Sequence, residues 1–296
     1  IKLKKRFWLD TLPSFKKEDC FNDPEVEFQK LKYKSKPLNS NLLTVGQFAT
    51  YNFQRIHAGF IKISVRAYED TRLCLLFDET LSNENSHDAL DICFNRFDCL
   101  KIIEYNLKPG QYEHISIEPY SARYIRVVVL TGQAEILNIQ IVGFENADAE
   151  RFVFSCQDQR LNAIADAGKS TLKQNAVDVL MDCPSRERAG WLCDAYFTGQ
   201  AEKLLTGDNK TERAFLENYV YAPDSLSLGL PQGMVPCCYP ADFEDGLYIT
   251  NWALYYILEL ESYSLRNNDL SILKESKQKV LGIVDFFSKR ENEFGL

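Results

Sequence analysis

The stretch ILNIQIVGFE (Ile136 to Glu145) consists largely of β-branched and other apolar residues, as expected for a β-strand. From Asp158 onward the pattern changes, and apolar or small residues recur every three or four positions. They are Leu161, Ile164, Ala165, Gly168 and Leu172. This spacing predicts a helix with one buried face. The hydrophobic period therefore changes near residue 150, which divides the chain into a β half and a helical half.

The β half contains further short apolar runs of the same kind. They are FIKISVRAY (Phe60 to Tyr68), RLCLLFDE (Arg72 to Glu79), HISIEP (His114 to Pro119) and RYIRVVVL (Arg123 to Leu130). Turn-forming residues separate the runs, and the stretch from Ser82 to Asp88 is polar. Short strands at this spacing predict an antiparallel β-sandwich over residues 45–150. Residues 1–44 are polar and Lys-rich, and we interpret them as an N-terminal extension or the end of a preceding β domain.

The helical half, residues 151–296, contains four further predicted helices. Their expected ranges are Ala195 to Leu205, Lys210 to Tyr221, Tyr248 to Arg266 and Leu270 to Lys289. The segment between Ala222 and Gly246 is long and rich in Pro and Gly. Loops of that length inside a compact domain tend to be functional.

The composition excludes several classes of protein. The chain has 296 residues with 45% hydrophobic and 26% charged residues, as in ordinary globular proteins. Its formal net charge of −8 argues against a nucleic-acid partner, since nucleic-acid-binding proteins present a basic face. No apolar run reaches the length of about 18 residues that a membrane span requires. The nine cysteines form no CxxC pair with matching His or Cys residues, so we expect free thiols and no metal site.

The segment with the most chemical information is DCPSRERAGWLCD (Asp182 to Asp194). It combines three carboxylates, two guanidinium groups and one indole ring. Pro184 and Gly190 are poor residues for a helix interior, so the segment is predicted to be a structured loop that ends where a helix begins near Cys193 or Asp194.

This combination suits the cleavage of glycosidic bonds. That reaction needs one carboxylic acid to protonate the leaving oxygen and a second carboxylate to activate water or to attack. Sugar hydroxyls are commonly held by carboxylate and guanidinium groups, and clustered carboxylates raise one another's pKa. From composition alone, a structural role is the alternative: the segment could be a charged loop at a domain junction that is stabilised only by Arg–carboxylate pairs.

The same segment resembles the signature loop of the family 78 α-L-rhamnosidases, which reads roughly Asp-Cys-Pro-x-Arg-(Asp/Glu)-Arg-x-Gly-Trp-x-x-Asp. The matching residues are Asp182, Cys183, Pro184, Arg186, Glu187, Arg188, Gly190, Trp191 and Asp194. The chain matches the shorter version of this pattern, without the extra acidic residue that some members have. Further similarity to the β-sandwich of this family lies in Tyr51-Asn52-Phe53, Gly59-Phe60, Phe77 to Leu81 and Arg123 to Arg126. The resemblance covers residues 45–296.

The resemblance implies roles for six residues. Glu187 would be the general acid, and Asp182, Arg186 and Asp194 would hold rhamnose hydroxyls. Trp191 would pack against the sugar. Trp252 would also belong to the sugar site, although a core aromatic on its helix explains it equally well. The loop Leu230 to Pro236 and the acidic stretch Asp242 to Asp245 would line the same end of the domain.

The resemblance also implies a fold and a division of the active site. Residues 151–296 would be the N-terminal portion of an (α/α)₆ barrel, which remains incomplete in this chain. The general base would be a glutamate beyond residue 296, so the chain alone is expected to be inactive. No cofactor and no metal are needed for this chemistry.

The function that follows is hydrolysis of terminal α-L-rhamnosides from glycosides or polysaccharides, with inversion of configuration. Two alternatives remain at this point. One is another six-hairpin glycosidase with a different sugar specificity, and the other is a catalytically silent carbohydrate-binding protein. The sequence is compatible with a cytoplasmic enzyme and with a periplasmic or exported one, and it leaves the oligomeric state and the aglycone undetermined.

Overall fold

The computed structural model describes residues 40–81, 91–92, 95–96, 99–241, 247–293 and 295. The chain divides after Gly143 into two compact units, the first built from strands and the second mainly from helices. Residues 1–39 of the predicted extension, the polar stretch from Ser82 to Asp88 and the acidic stretch from Asp242 to Asp245 lie outside the described residues.

The first unit contains nine described strands. They are β1 (Leu42–Thr44), β2 (Phe48–Ala67), β3 (Thr71–Asp78), β4 (Asn95–Arg96), β5 (Cys99–Leu100), β6 (Ile102–Leu107), β7 (Gly110–Ile115), β8 (Tyr120–Thr131) and β9 (Gln133–Gly143). Seven of them form one antiparallel sheet in the order β1-β9-β2-β8-β3-β6, with β7 paired to β2, while β4 pairs with β5.

Strand β2 is long, and its first and second parts pair with different strands. Its first part, Phe48 to Gly59, pairs with β8, and its second part, from Gly59 to Ala67, pairs with β9. The register shifts between Asn52 and His57, where Gln54 has a positive φ of 68°. A β-bulge of this kind bends a strand and increases its twist, which allows one strand to serve two sets of partners.

The side chains of β8 are buried on both faces of the sheet. Ile125, Val127 and Val129 belong to one apolar cluster, whereas Val128 packs with Phe48 and other residues in a second cluster. A strand that is covered on both faces has apolar residues at successive positions rather than at every second one. This explains the nearly continuous apolar run in RYIRVVVL.

Four of the predicted runs lie on the antiparallel strands β2, β3, β8 and β9, and the remaining strands differ from the prediction. The run from His114 to Pro119 is wrong as a strand, because β7 ends at Ile115. Strand β6 has no counterpart among the predicted runs; it pairs with β3 and contributes the buried Leu107. The two-layer sandwich remains a prediction.

The second unit contains five described α-helices. They are α1 (Gln159–Asn175), α2 (Leu192–Thr206), α3 (Lys210–Tyr221), α4 (Thr250–Asn267) and α5 (Ser271–Ser288), preceded by a 3₁₀ helix at Ala147–Arg151. Each predicted helix is present, and α3 has the predicted bounds. The Asp158 side chain caps α1 by accepting a hydrogen bond from the Arg160 N–H, and Gly207, with φ of 74°, ends α2.

The predicted buried face of α1 is wrong for most of its residues. Leu172 is 4% exposed, but Leu161 is 49% exposed and Ile164 is 67% exposed. The buried residues of the helix, Leu172 and Gln174, lie near its C-terminal end. An amphipathic pattern identifies an apolar face, whereas burial also requires an element that covers that face, and none of the described elements covers the first turns of α1.

The core of the helical unit lies among α2 to α5 and the long loop before α4. Its members include Phe215, Tyr219, Tyr256, Leu260 and Phe286. The ring of Tyr219 contacts those of Phe215 and Tyr256, with centroid distances of 5.2 and 5.4 Å. Within the described part of the chain, no helix is long and apolar enough to cross a membrane.

Three carboxyl side chains are buried inside this helical unit, those of Glu202, Glu212 and Glu259. Glu202 accepts hydrogen bonds from the backbone N–H groups of Thr211 and Glu212, at 3.0 and 2.8 Å. Glu212 is bound through both carboxylate oxygens by Arg266, at 2.5 and 2.6 Å. Glu259 is fully buried, and neither of its carboxyl oxygens has a hydrogen-bond partner among the described residues.

Candidate functional site

The acidic loop, residues 182–191, is closed by hydrogen bonds between its two ends. The Asp182 N–H donates to the Ala189 carbonyl oxygen at 3.1 Å, and the Ala189 N–H donates to Asp182 Oδ1 at 3.2 Å. Between them the chain makes a tight turn that includes Arg188 with a positive φ of 50°. One oxygen of Asp182 therefore holds the loop in shape.

Gly190 allows the acidic loop to pack closely against the rest of the helical unit. A Cβ atom at this position would lie 2.7 Å from the Tyr239 carbonyl oxygen and 2.8 Å from a ring carbon of Phe215. The Gly190 carbonyl oxygen accepts hydrogen bonds from the Tyr219 hydroxyl at 3.0 Å and from the Tyr239 N–H at 3.1 Å. Any side chain at residue 190 would push the loop away from these partners.

A segment that the sequence did not single out supports the acidic loop along its C-terminal edge. Trp191 and Cys238 form an antiparallel β-bridge, and the Leu192 N–H donates to the Cys237 carbonyl oxygen at 3.0 Å. Cys237 and Cys238 are buried, and neither forms a disulfide. The Pro- and Gly-rich composition of residues 222–246 indicated a functional loop, but no local signal indicated which residues would pair with Trp191.

The residues Leu230 to Pro236, which were predicted to line the site, are partly core residues. Leu230, Met234 and Val235 are 2–4% exposed and belong to the apolar core of the helical unit. The adjacent residues 237–239 lie beside the acidic loop.

The carboxylate of Glu187 has a different partner at each of its two oxygens. Oε2 accepts a hydrogen bond of 2.7 Å from the indole Nε1–H of Trp191. Oε1 forms an ion pair with the guanidinium group of Arg186. The Glu187 side chain retains 21% of its exposure, so a ligand can still approach it. The structure thus brings together three of the residues predicted from the sequence.

Asp194 lies in the first turn of α2, a helix that begins directly after Trp191. Partial loss of solvent raises the pKa of the Asp194 carboxyl group, and the negative charge of Asp182 raises it further. A backbone hydrogen bond acts in the opposite direction, and Glu187 adds a smaller upward contribution. The charges of Asp182 and Glu187 therefore both act on Asp194, as expected for a group of carboxylates that shares one site.

Trp252 lies in the first turn of α4, outside the acidic loop. Its ring contacts that of Tyr255 at a centroid distance of 6.4 Å, and the ring of Tyr255 contacts that of Tyr196 on α2 at 5.5 Å. The indole Nε1 of Trp252 is buried without a hydrogen-bond partner among the described residues. These contacts join Trp252 to α2, the helix that carries Asp194, and they do not decide between a core residue and a sugar-binding residue.

Across the described ranges, no group of three or more His, Cys, Asp or Glu side chains has an arrangement that could hold a metal ion. The side chains of the acidic loop instead provide carboxylates, a guanidinium group and an indole N–H, which can bind hydroxyl groups and exchange protons.

Comparison with known proteins identifies the family. The family model of the bacterial α-L-rhamnosidase six-hairpin glycosidase domain matches residues 149–296, half of the chain. The acidic loop and all five helices lie within this range. The chain belongs to this family of glycoside hydrolases. No curated protein matches it.

Solved structures of rhamnosidases have a similar fold. A family 78 rhamnosidase from Bacillus sp. GL1 superimposes with a TM-score of 0.70 at 18% identity, over 83% of this chain and 24% of that one. A rhamnosidase from Klebsiella oxytoca with rhamnose bound gives a TM-score of 0.67 at 18% identity, over 85% of this chain and 50% of that one. The chain therefore spans a quarter to a half of the length of these two proteins.

Proposed function

We propose that this chain carries the proton-donating half of the active site of an inverting α-L-rhamnosidase, with Glu187 as the general acid. The observation that carries the proposal is the arrangement of Glu187 in the acidic loop. Its carboxylate is held by Trp191 and Arg186 and lies near two further carboxylates, those of Asp182 and Asp194. Membership in the rhamnosidase family supports a rhamnose-containing glycoside or polysaccharide as the substrate.

The proposed reaction begins with a proton on Glu187. As the bond between the anomeric carbon and the glycosidic oxygen breaks, this proton passes to the oxygen, which leaves with the bonding electron pair as an alcohol. A water molecule attacks the anomeric carbon from the opposite face of the sugar ring and gives up a proton to a second carboxylate, the general base. Glu187 is then ionised and must take up a proton before the next cycle.

The remaining predicted residues would hold the sugar. The free oxygens of Asp182 and Asp194 and the guanidinium group of Arg186 can bind hydroxyl groups, and the rings of Trp191 and Trp252 can cover the apolar face of rhamnose. The other oxygen of Asp182, Oδ1, accepts a hydrogen bond from the Ala189 N–H. This contact keeps the acidic loop in shape and so keeps the sugar-binding groups oriented.

Inversion requires a second carboxylate about 6.5–9.5 Å from the first, which leaves room for the attacking water. We assign no residue of this chain to that role. The general base would come from elsewhere in the six-hairpin barrel, and the 296-residue chain would then bind a rhamnoside without turning it over.

The test is hydrolysis of p-nitrophenyl α-L-rhamnopyranoside by the full-length protein and by its Glu187→Gln variant. Loss of a general acid costs about 10²-fold or more in rate where the leaving group needs protonation, so the variant's rate on methyl α-L-rhamnoside should fall by at least that factor. The rate on the nitrophenyl glycoside should fall less, because nitrophenolate leaves with little help from an acid. The anomer that forms first, followed by NMR, should be the inverted β-L-rhamnose. The exposed Glu261 on α4 offers a matched control, because Glu261→Gln removes the same charge outside the acidic loop.

Three results would change the proposal. Cleavage of another aryl glycoside in preference to the rhamnoside would leave the fold and the acid in place but remove the sugar assignment. Binding of rhamnosides with no hydrolysis would favour a catalytically silent carbohydrate-binding protein. A full rate in Glu187→Gln with p-nitrophenyl and alkyl rhamnosides alike would show that Glu187 is not the acid.

A further inference from the structure

We propose that Trp191 is a positioning residue for Glu187, because its indole N–H holds Oε2 and leaves Oε1 as the oxygen that delivers the proton. This inference rests on the proposed function of Glu187, and it adds a role to Trp191 beyond contact with the sugar ring. The indole N–H has no acceptor capacity and cannot rotate, so it defines a single direction for the group that it binds.

Trp191 can serve as an anchor because its backbone is fixed on both sides. Its N–H donates to the Ala189 carbonyl oxygen at 3.1 Å, and it forms a β-bridge with Cys238. The preceding residue, Gly190, is held by Tyr219 and Tyr239. Glu187, by contrast, lies in the turn that links Asp182 to Ala189, where the backbone alone leaves its side chain free to rotate.

Trp191 and Arg186, the two partners of the Glu187 carboxylate, respond differently when this carboxylate takes up a proton. In a protonated carboxyl group, the oxygen without the proton still accepts hydrogen bonds, so the bond from Trp191 to Oε2 persists in both protonation states. A guanidinium group only donates, and protonation of Oε1 removes the negative charge that attracts Arg186. The ion pair is therefore lost when Oε1 carries the proton, and the sugar hydroxyls that Arg186 is proposed to bind give it another partner.

The two oxygens of Glu187 thus have different roles. Trp191 keeps Oε2 occupied throughout the cycle, and Oε1 turns toward the glycosidic oxygen once Arg186 has moved. Without the indole N–H, Glu187 would sample other rotamers, and the fraction of bound substrate with an aligned proton donor would fall. Misplacement of a catalytic group by about 1 Å can cost as much as 10²-fold in rate.

The Trp191→Phe variant of the full-length protein tests this role, because it keeps an aromatic ring and removes the N–H. Two substrates are compared, p-nitrophenyl α-L-rhamnoside and methyl α-L-rhamnoside. The nitrophenolate leaves with little help from an acid, whereas the alkoxide needs protonation. We expect kcat for the methyl glycoside to fall about 10-fold more than kcat for the nitrophenyl glycoside, with KM changed by the same factor for both.

The Trp252→Phe variant is the matched control, since it also removes an indole N–H, but one without a hydrogen-bond partner in the described part of the chain. Any loss that it causes should be the same for the two substrates. An equal loss for both substrates in Trp191→Phe would overturn the positioning role and leave only contact with the sugar.

A second measurement does not depend on activity or on the folding of the Trp191 variant. In protein labelled with ¹⁵N at the indole nitrogen, the Glu187→Ala variant should shift one indole N–H resonance strongly, because it removes the acceptor at 2.7 Å. If no indole resonance moves, the hydrogen bond is absent and the inference fails. If a resonance moves but the parent protein cleaves no glycoside, the contact stands and the proposed function fails.

Discussion

The hydroxyl group of Tyr219 donates a 3.0 Å hydrogen bond to the carbonyl oxygen of Gly190, and both groups are buried. This contact joins the last turn of α3 to the acidic loop, three residues from Glu187 in the sequence. Burial raises the pKa of Tyr219 well above its ordinary value, so the hydroxyl keeps its proton and remains a donor. The geometry of the loop is therefore set from the core of the helical unit.

Replacement of Tyr219 by Phe should lower the free energy of unfolding by about 1 kcal/mol. The cost is at the lower end for a buried hydrogen bond, because the Gly190 carbonyl oxygen keeps the Tyr239 N–H as a donor. Chemical denaturation measures the change. The control is Tyr221→Phe, two residues further on, where the ring is 75% exposed and the expected change is within about 0.5 kcal/mol. Equal losses of unfolding free energy in the two variants would contradict a stabilising hydrogen bond from Tyr219 to Gly190.

Gly190→Ala should destabilise the protein by about 1–3 kcal/mol and reduce hydrolysis, because the new methyl group would overlap the Tyr239 carbonyl group and the Phe215 ring. Thermal unfolding and rate measurements on the same sample provide the check. Gly168→Ala is the control: Gly168 lies in α1, and nothing is within 4 Å of its added Cβ. That variant should gain about 0.5–1 kcal/mol from helix propensity, and a loss there would undermine the comparison.

Arg266→Met should destabilise the helical unit by about 3 kcal/mol, since it leaves the buried carboxylate of Glu212 without its counter-charge. Burial raises the pKa of Glu212, and Arg266 opposes this effect. The double variant Arg266→Met with Glu212→Gln should recover part of the loss, which a double-mutant cycle measures. The exposed Arg160, paired with Asp158 at the start of α1, provides the control Arg160→Met. No recovery in the double variant would count against this pair as the cause.

Glu259→Gln should make stability less dependent on pH. Burial raises the pKa of Glu259 well above its usual value, the negative charge of Glu212 adds to this, and Arg266 opposes it. The folded state holds this proton over a pH range in which the unfolded state has lost it. Stability is therefore full below the unfolded pKa of about 4.3 and falls as pH rises toward the folded pKa.

The measurement is the unfolding free energy of parent and Glu259→Gln from pH 4 to 8. The two should be close at pH 4, and the parent should lose up to about 1.4 kcal/mol more per pH unit above it. The exposed control Glu261→Gln should follow the parent. Parallel curves for the parent and Glu259→Gln would show that Glu259 titrates normally in the folded protein.

Local patterns were sufficient to predict most elements of this fold. The helical spacing of apolar residues, the cap at Asp158 and the turn-forming residues act over a few neighbouring positions, so the sequence predicts α3 with its observed bounds and the other helices within a few residues. The family signature in Asp182 to Asp194 likewise lies within one short segment, and the family model that matches residues 149–296 confirms the resemblance.

Burial, and the contacts of Gly190 with Tyr219 and Tyr239, depended on partners that are distant in the sequence. Leu161 and Ile164 carry the same apolar pattern as Leu172, yet only Leu172 is covered, because coverage depends on where other elements pack.

The sequence by itself determined the type and order of the helices, the four strands β2, β3, β8 and β9 at least in part, and the presence of the acidic loop, because propensity, capping and motif chemistry are local. Only the tertiary structure decided that the Gly190 carbonyl oxygen accepts hydrogen bonds from Tyr219 and Tyr239. It also decided that the indole N–H of Trp191 binds the Glu187 carboxylate rather than solvent. Those contacts arise when α3 and the segment before α4 pack against the loop. A hydrogen bond forms only where packing brings a donor and an acceptor within about 3 Å of each other.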